Sequence, residues 1–466
     1  MVKTLSILGL FLFIHAGIRA GDISVVLKSD MGEDTISIDA SQLDSVLLSR
    51  LEPYQSSGHW DAYFELKNSE SSPGSLIAIL HPGEVVFISN IHFNGLSAKD
   101  GRYLKQEFTM GLNTIAADKL GHGEARIGGL GYRVSNYSRI SMDENDLYHL
   151  NYRVKNRPEL KAAALVSFNQ SSTADTVAWF GHVNIYVPNF DGRGKSFSLQ
   201  WKRLRTNSES FVLGYEHPWI IALPLKGVFK FGREVVDGNY QIVETFFGLD
   251  WSLDWEHSLI FQYEDIHSII TLEGLASNPQ WKADRKQLIG LGYRQVNLNL
   301  AAHTGISLRT SLSQEINFEP RSIRRFDFRS ESELSFNKRF YGSQRTQIVI
   351  QNESFDASDP STLVALGGVN SVRGYEENVL RSQNIMSFQH DLHMLLSGEA
   401  HFLVLMDLGL YTESNSIRSL KGYGIGIQLR SGGGPLRLIL ASHRGVNVRN
   451  SYLHLEYSGG IPWIDR

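Results

Sequence analysis

Residues 386–396 read MSFQHDLHMLL, and this stretch shows the pattern that governs most of the chain. Apolar and polar side chains alternate along it with a period of two. The apolar set is Met386, Phe388, Leu392, Met394 and Leu396, and the polar set is Ser387, Gln389, Asp391 and His393. Because successive side chains of a β-strand point to opposite faces, the stretch predicts a strand with one apolar face and one face that carries charge.

The same alternation recurs from Pro158 to the C-terminus, with almost no helical periodicity. Further examples are Leu223 to Phe231, Phe402 to Leu408 and Leu453 to Tyr457. These segments run roughly ten to fourteen residues, whereas strands of soluble proteins most often have five or six. We count about sixteen of them, an even number that suits a closed transmembrane barrel. A count of roughly twelve or fourteen strands remains open, because the strand pattern is ambiguous at residues 269–284 and 319–325.

Alternation alone does not decide which face meets water, because strands of soluble sandwiches alternate as well. Aromatic residues at the predicted strand ends favour a membrane barrel, which carries such residues as interfacial girdles. These residues are Trp179, Tyr186, Trp201, Tyr215, Trp219, Trp251, Trp255, Tyr341 and Trp463. We therefore predict a mostly β chain, with a transmembrane antiparallel barrel of about sixteen strands over residues 158–466.

The residues before Pro158 mix helical and strand patterns. A helix is predicted over Ser41 to Leu51, where Leu43 and Leu47 recur at helical spacing, and a second over Ala98 to Phe108. Strand-like segments surround both helices. This order predicts two small α+β domains, at residues 21–89 and 90–157.

The first twenty residues have the features of a secretory signal peptide. Lys3 supplies a positive charge, Leu5 to Ile14 forms an apolar core, and Ala20 is a small residue at the expected cleavage point. The core is too short to span a bilayer as a helix. The alternative is a buried N-terminal strand or helix. We predict a signal peptide at residues 1–20 and export of the chain.

Composition narrows the function classes. The 466 residues carry a formal net charge of -4, which gives no basic footprint for nucleic acid. With no Cys, the chain has no disulfide, thiolate metal site or cysteine nucleophile. The HExxH, P-loop and GxSxG motifs are missing, and Gly422 to Gly426 is a GxGxG without the helix that a dinucleotide site needs. His390 and His393 fall on opposite strand faces. We predict neither enzyme activity nor a cofactor or metal site.

The segment most suited to function is LGGVNSVRGY, residues 366–375. It lies in a long connection between the strand patterns of Gln344 to Ser354 and Gln383 to Ser397, and connections of this length are usually functional. Gly367 and Gly368 permit backbone conformations that other residues avoid. Arg373 places a forked cation beside Gly374. The alternative interpretation is a solvated hairpin tip.

This segment resembles the loop motif of outer-membrane protein-assembly factors and two-partner secretion transporters, the bacterial surface antigen type. These proteins join polypeptide-transport-associated (POTRA) domains to a sixteen-stranded barrel. An Arg-Gly-aromatic tripeptide lies on their connection between strands eleven and twelve, where Arg373-Gly374-Tyr375 falls here. Weaker matches along the chain are Gly83 to Gly95, Asn189 to Gly194, Tyr215 to Pro218, Phe402 to Asp407, Gly422 to Gly426 and Gly434 to Arg437.

The resemblance implies a functional loop and a barrel seam. The loop residues would be Gly367, Gly368, Val372, Arg373, Gly374 and Tyr375. The loop would fold into the lumen, with Arg373 paired to Asp407; alternatively, Arg373 points to water. The first and last strands would pair weakly and open sideways, with Gly459, Gly460 and Trp463 at this seam. The family usually ends on an aromatic residue, whereas three residues follow Trp463 here.

The resemblance further implies a role in inserting proteins into the bacterial outer membrane or moving them across it, with the N-terminal domains in the periplasm. Partners would be the lipid bilayer, unfolded client polypeptides and accessory lipoproteins. General assembly factors usually carry five POTRA domains. Two-partner transporters carry two, preceded by a plug helix and a Pro-rich linker that are not expected before Asp22. The alternatives are a passive porin or receptor with a periplasmic arm, and a soluble adhesin.

Overall fold

The computed structural model describes residues 22–29, 32–39, 42–56, 58–68, 75–134, 139–142, 148–156, 160–170, 177–205, 207–220, 223–299, 304–316, 323–337, 339–352, 363–397, 400–413, 416–431, 434–444 and 451–457. The predicted signal peptide and the predicted seam residues Gly459, Gly460 and Trp463 lie outside these ranges. The chain forms two compact units. The first is Met1–Phe93, Leu112–Glu124 and Ser135–Arg153, and the second is Asn94–Gly111, Ala125–Val134 and Val154–Arg466.

The N-terminal elements form two small sheets with helices. They are β1 (Asp22–Ser29), β2 (Gly32–Asp39), α1 (Leu43–Ser56), β3 (Tyr63–Asn68), β4 (Ser75–His81), β5 (Phe87–Asn94), α2 (Ala98–Thr109), β6 (Ile115–Ala116), α3 (Leu120–Gly129), β7 (Arg133–Val134), β8 (Arg139–Met142) and β9 (Tyr148–Asn156). The first sheet has the order β2-β1-β4-β3. In the second sheet, β5 lies between β6 and β9, and β8 pairs with β9. The domain boundaries at residues 89 and 157 stay predictions.

Local chemistry explains these helices. Leu43 and Leu47 of α1 are buried against Val25 and Ala78 of the first sheet. The side chain of Ser97 caps α2 by accepting a hydrogen bond from the backbone N–H of Asp100 at 3.2 Å. Among the described residues, no helix combines the length and the apolar character needed to cross a membrane.

The C-terminal elements are almost all long strands. They are β10 (Lys161–Gln170), β11 (Val177–Val187), β12 (Ser196–Arg205), β13 (Ser208–His217), β14 (Leu225–Val236), β15 (Tyr240–Ser252), β16 (His257–Ile270), α4 (Leu272–Ser277), β17 (Arg285–Asn299), β18 (Thr304–Glu315), β19 (Arg324–Ser335), β20 (Phe340–Gln351), β21 (Val364–Leu366), β22 (Leu380–Ser382), β23 (Ile385–Ser397), β24 (Ala400–Glu413), β25 (Ser416–Ser431), β26 (Gly434–Ser442) and β27 (Tyr452–Tyr457).

Within the described residues, sixteen of these strands form one antiparallel sheet in chain order, from β10 to β20 and then from β23 to β27. Short β21 and β22 pair with each other inside the connection between β20 and β23. The count of sixteen predicted from the sequence is confirmed. One of the two ambiguous stretches, residues 269–284, contains α4 and the connection to β17.

The two faces of the sheet differ as the alternation predicts. In β16, Gln262 and Glu264 are buried on one face, while Phe261 is exposed on the other. In β24, Val404 and Met406 are likewise exposed on the face that corresponds to that of Phe261. This arrangement places charge inside a barrel and apolar side chains towards lipid.

Two predictions about the aromatic girdle were wrong. Trp219 is buried, and its indole N–H donates to a carboxylate instead of facing the membrane interface. Tyr341 is buried on the inner face, where it stacks on His393 at 4.2 Å between ring centroids. Both residues have amphipathic rings, which is why the sequence suggested a place in the girdle. The direction that each ring faces is set by the turn geometry for Trp219 and by the strand register for Tyr341.

Candidate functional site on the inner face of the barrel

The described part of the connection between β20 and β23, the eleventh and twelfth strands of the sheet, is residues 363–384. The β21–β22 pair brings the two ends of residues 364–382 together, and Leu366 and Val372 are fully buried against Val349 of β20 and Ile385 of β23. The segment 366–375 is therefore packed against the inner face of the sheet. The alternative of a solvated hairpin tip does not apply to it.

Arg373 makes the densest set of polar contacts in this loop. Its backbone N–H and its Nε both donate to Asp407 Oδ2, at 2.7 and 2.8 Å, and its Nη2 donates to Asp407 Oδ1 at 2.6 Å. Arg373 is 3% exposed and Asp407 is 1% exposed. This is the two-pronged pairing of a guanidinium with a carboxylate, which is strong and directional. The structure thus brings together the two residues that the resemblance paired.

A second carboxylate, missed at the sequence level, completes this site. The same Nη2 of Arg373 lies 2.7 Å from Asp391 Oδ1. Asp391 belongs to the polar set of the 386–396 stretch, so the alternation already placed it on the lumen face. Its strand, β23, pairs with β24, which carries Asp407. These two facts together could have identified Asp391 as a second partner of Arg373. One buried cation thus joins two neighbouring strands, β23 and β24.

Gly374 and Tyr375 contact the last two strands. The backbone N–H of Gly374 donates to His454 Nε2 of β27 at 3.1 Å. The carbonyl oxygen of Gly374 lies 2.7 Å from Nδ1 of His443, which follows β26. Tyr375 stacks on the His443 ring at 4.3 Å between centroids. We call His443 and His454 the histidine pair. Sequence reasoning missed it, because scattered histidines gave no signal of a shared partner.

Glycines make this docking sterically possible. Gly367, Gly368 and Gly374 have φ values of 109°, 92° and 92°, in the region that other residues rarely adopt. On the wall, a Cβ at Gly422 would lie 1.9 Å from the Arg373 carbonyl oxygen, and a Cβ at Gly409 would lie 2.6 Å from the Val372 side chain. The loop therefore fits only because the wall beneath it lacks side chains. The GxGxG pattern at 422–426 begins with one of these wall glycines.

The other end of the loop contacts strands from the first half of the sheet. Glu377 pairs with Lys202 of β12 at 3.1 Å, and the side-chain amide of Asn378 donates to Glu234 of β14 at 3.0 Å. Arg381 also reaches Glu234, at 2.7 Å. One short segment thus touches β12, β14 and β27, so the sheet must curl around it. The loop spans the lumen of the barrel.

A second polar cluster holds helix α2, which lies in the same compact unit as the barrel. Glu107 is buried and accepts from Arg126 Nε and Trp219 Nε1, both at 2.7 Å. The indole N–H of Trp255 donates to the Phe108 carbonyl at 3.1 Å. Trp219 and Trp255 lie in turns that join β13 to β14 and β15 to β16. Successive turns at one end of the barrel therefore bind this helix.

We expect Glu107→Ala to lower the melting temperature of the full chain, because it leaves the Arg126 cation and an indole N–H without their shared acceptor. The expected cost is about 2–3 kcal/mol. Glu107→Gln keeps an acceptor for Trp219 and should cost less. Arg102→Ala, at an exposed position of the same helix, is the matched control in a thermal unfolding series. Equal losses for Glu107→Ala and Arg102→Ala would contradict this role of Glu107.

Within the described residues, no cluster of three or more His, Asp or Glu is placed to hold a metal ion. The contacts of Arg373 and Gly374 form a charge-paired anchor that fixes a loop across the lumen and connects it to the last strands.

Comparison with known proteins places this arrangement in a family. Residues 189–451 match the Omp85 superfamily domain. No curated protein matches the chain in sequence. The fold is similar to that of CdiB from Escherichia coli, with 12% identity, a TM-score of 0.57, and coverage of 95% of this chain and 90% of that chain.

Two further solved structures are similar. CdiB from Acinetobacter baumannii shares 12% identity at a TM-score of 0.53, with 94% and 92% of the two chains covered. BamA from Haemophilus ducreyi lacking POTRA domains 1–3 shares 14% identity at a TM-score of 0.48, with 94% and 98% covered. The matched domain takes in the sheet from β12 to β26 together with the Arg373 loop. The chain therefore belongs to the Omp85 superfamily of the bacterial outer membrane, whose members assemble or secrete proteins there.

Proposed function

We propose that this chain passes unfolded client polypeptides into or across the outer membrane through a seam between β10 and β27, controlled by the Arg373 loop. One observation carries the proposal. The tripeptide Arg373-Gly374-Tyr375 binds the carboxylates of β23 and β24 and, one residue further along, the histidine pair at β26 and β27. A change in the last strand is therefore transmitted directly to the loop.

The seam follows from the order of the sheet. The strands β10 and β27 stand at its two ends, and an end strand offers backbone N–H and C=O groups to a new strand. A client segment added at this edge would extend the sheet by β-augmentation. The proposed seam residues Gly459, Gly460 and Trp463 come after β27 in the sequence, and the two glycines would weaken regular pairing there.

The N-terminal sheets supply a first contact for clients in this proposal. In the first sheet, β2 and β3 are the edge strands of the described order. Edges of this kind bind extended peptides through main-chain hydrogen bonds, with little dependence on client sequence. Residues 21–157 would then be the periplasmic arm that the sequence predicts, with accessory lipoproteins as further partners.

Locking the seam tests the proposal. Because the chain has no Cys, pairs of cysteines, one in β10 and one in β27, can be introduced without background. A disulfide between them is expected to block growth that depends on this chain and to remove its clients from the outer-membrane proteome. A control disulfide joins Leu440→Cys to Leu453→Cys, which face each other across β26 and β27. Equal client levels under both locks would refute a role for the seam.

The clients that disappear also separate the remaining alternatives. Loss of integral barrel proteins indicates assembly, whereas loss of a single secreted protein indicates two-partner secretion. A passive porin or receptor predicts changed conductance or uptake, with every client retained.

The histidine pair provides a finer test of the loop contact. His454→Phe keeps a planar ring at β27 but removes the nitrogen that accepts from Gly374. We expect a several-fold loss of client delivery with a folded barrel, because the anchor at Asp407 remains. His267→Phe, at an exposed position of β16 outside the loop site, is the control. Normal delivery in His454→Phe would mean that this hydrogen bond does not couple the loop to the seam.

A further inference from the structure

A polar island interrupts the apolar outer face of the barrel. In β23, even-numbered residues face away from the lumen, since Asp391 and Gln389 contact the loop inside. All the outward residues of this strand are apolar except His390. Register places Gln344 of β20 opposite His390, and Ser332 of β19 opposite Gln344. Three neighbouring strands thus carry polar outward side chains in one row.

The island lies within the depth of the hydrocarbon layer. On β23, Met386 and Phe388 precede His390 on the outward face, and Leu392 and Met394 follow it. The apolar band of such a barrel is about 25 Å tall, which corresponds to roughly five outward residues of a tilted strand. Any placement of the band that covers these four apolar residues therefore includes His390.

A second pair of polar residues lies beside the row, two residues further along β19 and β20. Ser330 of β19 faces Thr346 of β20, next to Ser332 and Gln344 along their strands. The Nε2 of Gln344 donates to Thr346 Oγ1 at 3.2 Å, so one of its hydrogen bonds is made internally. Within the part of the chain that the structure describes, no hydrogen bond is formed by the exposed His390 ring. Polar groups that face lipid without partners are costly, and they are usually functional.

A groove adjoins these polar groups. Its volume is about 450 Å³, and its lining includes Ser332, Gly342, Gln344 and His390 together with the exposed Leu334 and Met406. A Cβ at Gly342 would lie 3.3 Å from the Phe336 ring, so the missing side chain there leaves the groove open. The outer surface therefore combines a recess with hydrogen-bonding groups on its wall.

We propose that this island is an intramembrane docking surface for a second copy of the same chain. Its hydrogen-bonding groups are self-complementary. The Gln344 amide both donates and accepts, and a neutral His390 ring has one donor and one acceptor. Two copies related by a twofold axis would place island against island, so that each satisfies the other, as an isologous interface requires. Lipid tails have no such groups to offer.

Cross-linking in native outer membranes tests this. Ser332→Cys introduces a lone thiol into a chain without cysteine, and a membrane-permeable bis-maleimide then joins neighbouring copies. We expect a dimer of the chain at about tenfold the yield of Leu249→Cys, since docking raises the effective concentration of the two thiols. Leu249 is outward-facing and 42% exposed on β15, outside the island.

A second variant tests whether dimer formation depends on the polar residues of the island. Gln344→Leu with His390→Leu makes the row apolar, which suits a lipid-facing surface, so the barrel should still fold. In that background, cross-linking of Ser332→Cys should fall to the Leu249→Cys yield. The proposal is overturned if Ser332→Cys yields no more dimer than Leu249→Cys, if the yield survives the double replacement, or if the product contains a different protein. These readouts do not depend on client transport.

Discussion

Arg373→Ala is expected to release the loop from the lumen wall and to destabilise the barrel by about 3–5 kcal/mol, the usual cost of removing one partner from a buried ion pair. The structural reason is the charge left behind. Asp407 and Asp391 both approach the same guanidinium nitrogen, and without it two buried carboxylates face each other on adjacent strands. The variant removes both side-chain hydrogen bonds to Asp407 and the pairing with Asp391 at once.

The measurement is unfolding of the full chain in outer-membrane vesicles, followed by the shift in electrophoretic mobility as the barrel opens. Arg373→Lys keeps the charge but not the two-pronged geometry, so we expect an intermediate loss. Arg418→Ala is the matched control, because Arg418 forms an exposed pair with Glu413 on nearby strands. Exposed pairs contribute about 0–1 kcal/mol.

Asp407→Ala with Arg373→Ala completes a double-mutant cycle. Because the two residues act on one contact, the double variant should be clearly less destabilised than the sum of the single variants. Additive losses, or an Arg373→Ala chain as stable as Arg418→Ala, would mean that the pair does not hold the loop.

Gly422→Ala is expected to produce a similar release of the loop by adding a single methyl group. Its Cβ would lie 1.9 Å from the Arg373 carbonyl oxygen, which is backbone and cannot rotate away. Overpacking usually costs about 1–3 kcal/mol, and here the least strained response is for the loop to leave the wall. The Arg373 pair would then break even though both of its side chains are intact.

Protease access to the loop distinguishes this release from simple loss of stability. Trypsin cleavage after Arg373 should appear in Gly422→Ala at temperatures where the barrel itself stays folded. Gly232→Ala is the control, since a Cβ on that β14 glycine meets no atom closer than 3.9 Å. If Gly422→Ala leaves Arg373 as protected as Gly232→Ala does, the glycine wall is not what seats the loop.

The effects of Arg373→Ala and Gly422→Ala on loop release should not be additive. Once Arg373 is removed, the loop is already displaced, so the extra methyl group meets little resistance. The Arg373→Ala, Gly422→Ala chain is therefore expected to resemble Arg373→Ala alone. Strong additivity would indicate that Gly422 affects the strand and not the loop.

Local patterns predicted much of the fold, and their failures have physical causes. The β23 strand and its two faces follow from alternation, which depends only on neighbouring residues. Helix α1 was predicted to end at Leu51 but continues through Pro53 to Ser56. Its Leu47 packs on the first sheet, and such tertiary packing, more than propensity, stabilises helices.

By itself, the sequence determined the polar and apolar faces and the position of the Arg-Gly-Tyr loop, because each is set by spacing along the chain. For the strand count it indicated about sixteen and left roughly twelve or fourteen open. Only the tertiary structure decided which distant groups meet. Asp391 and Asp407 share one guanidinium, the histidine pair binds the N–H and the C=O of the single residue Gly374, and His390 joins Gln344 in a row that faces lipid. These contacts depend on strand register and on curling of the sheet, which arise from the summed pairing of sixteen strands and leave no local signature.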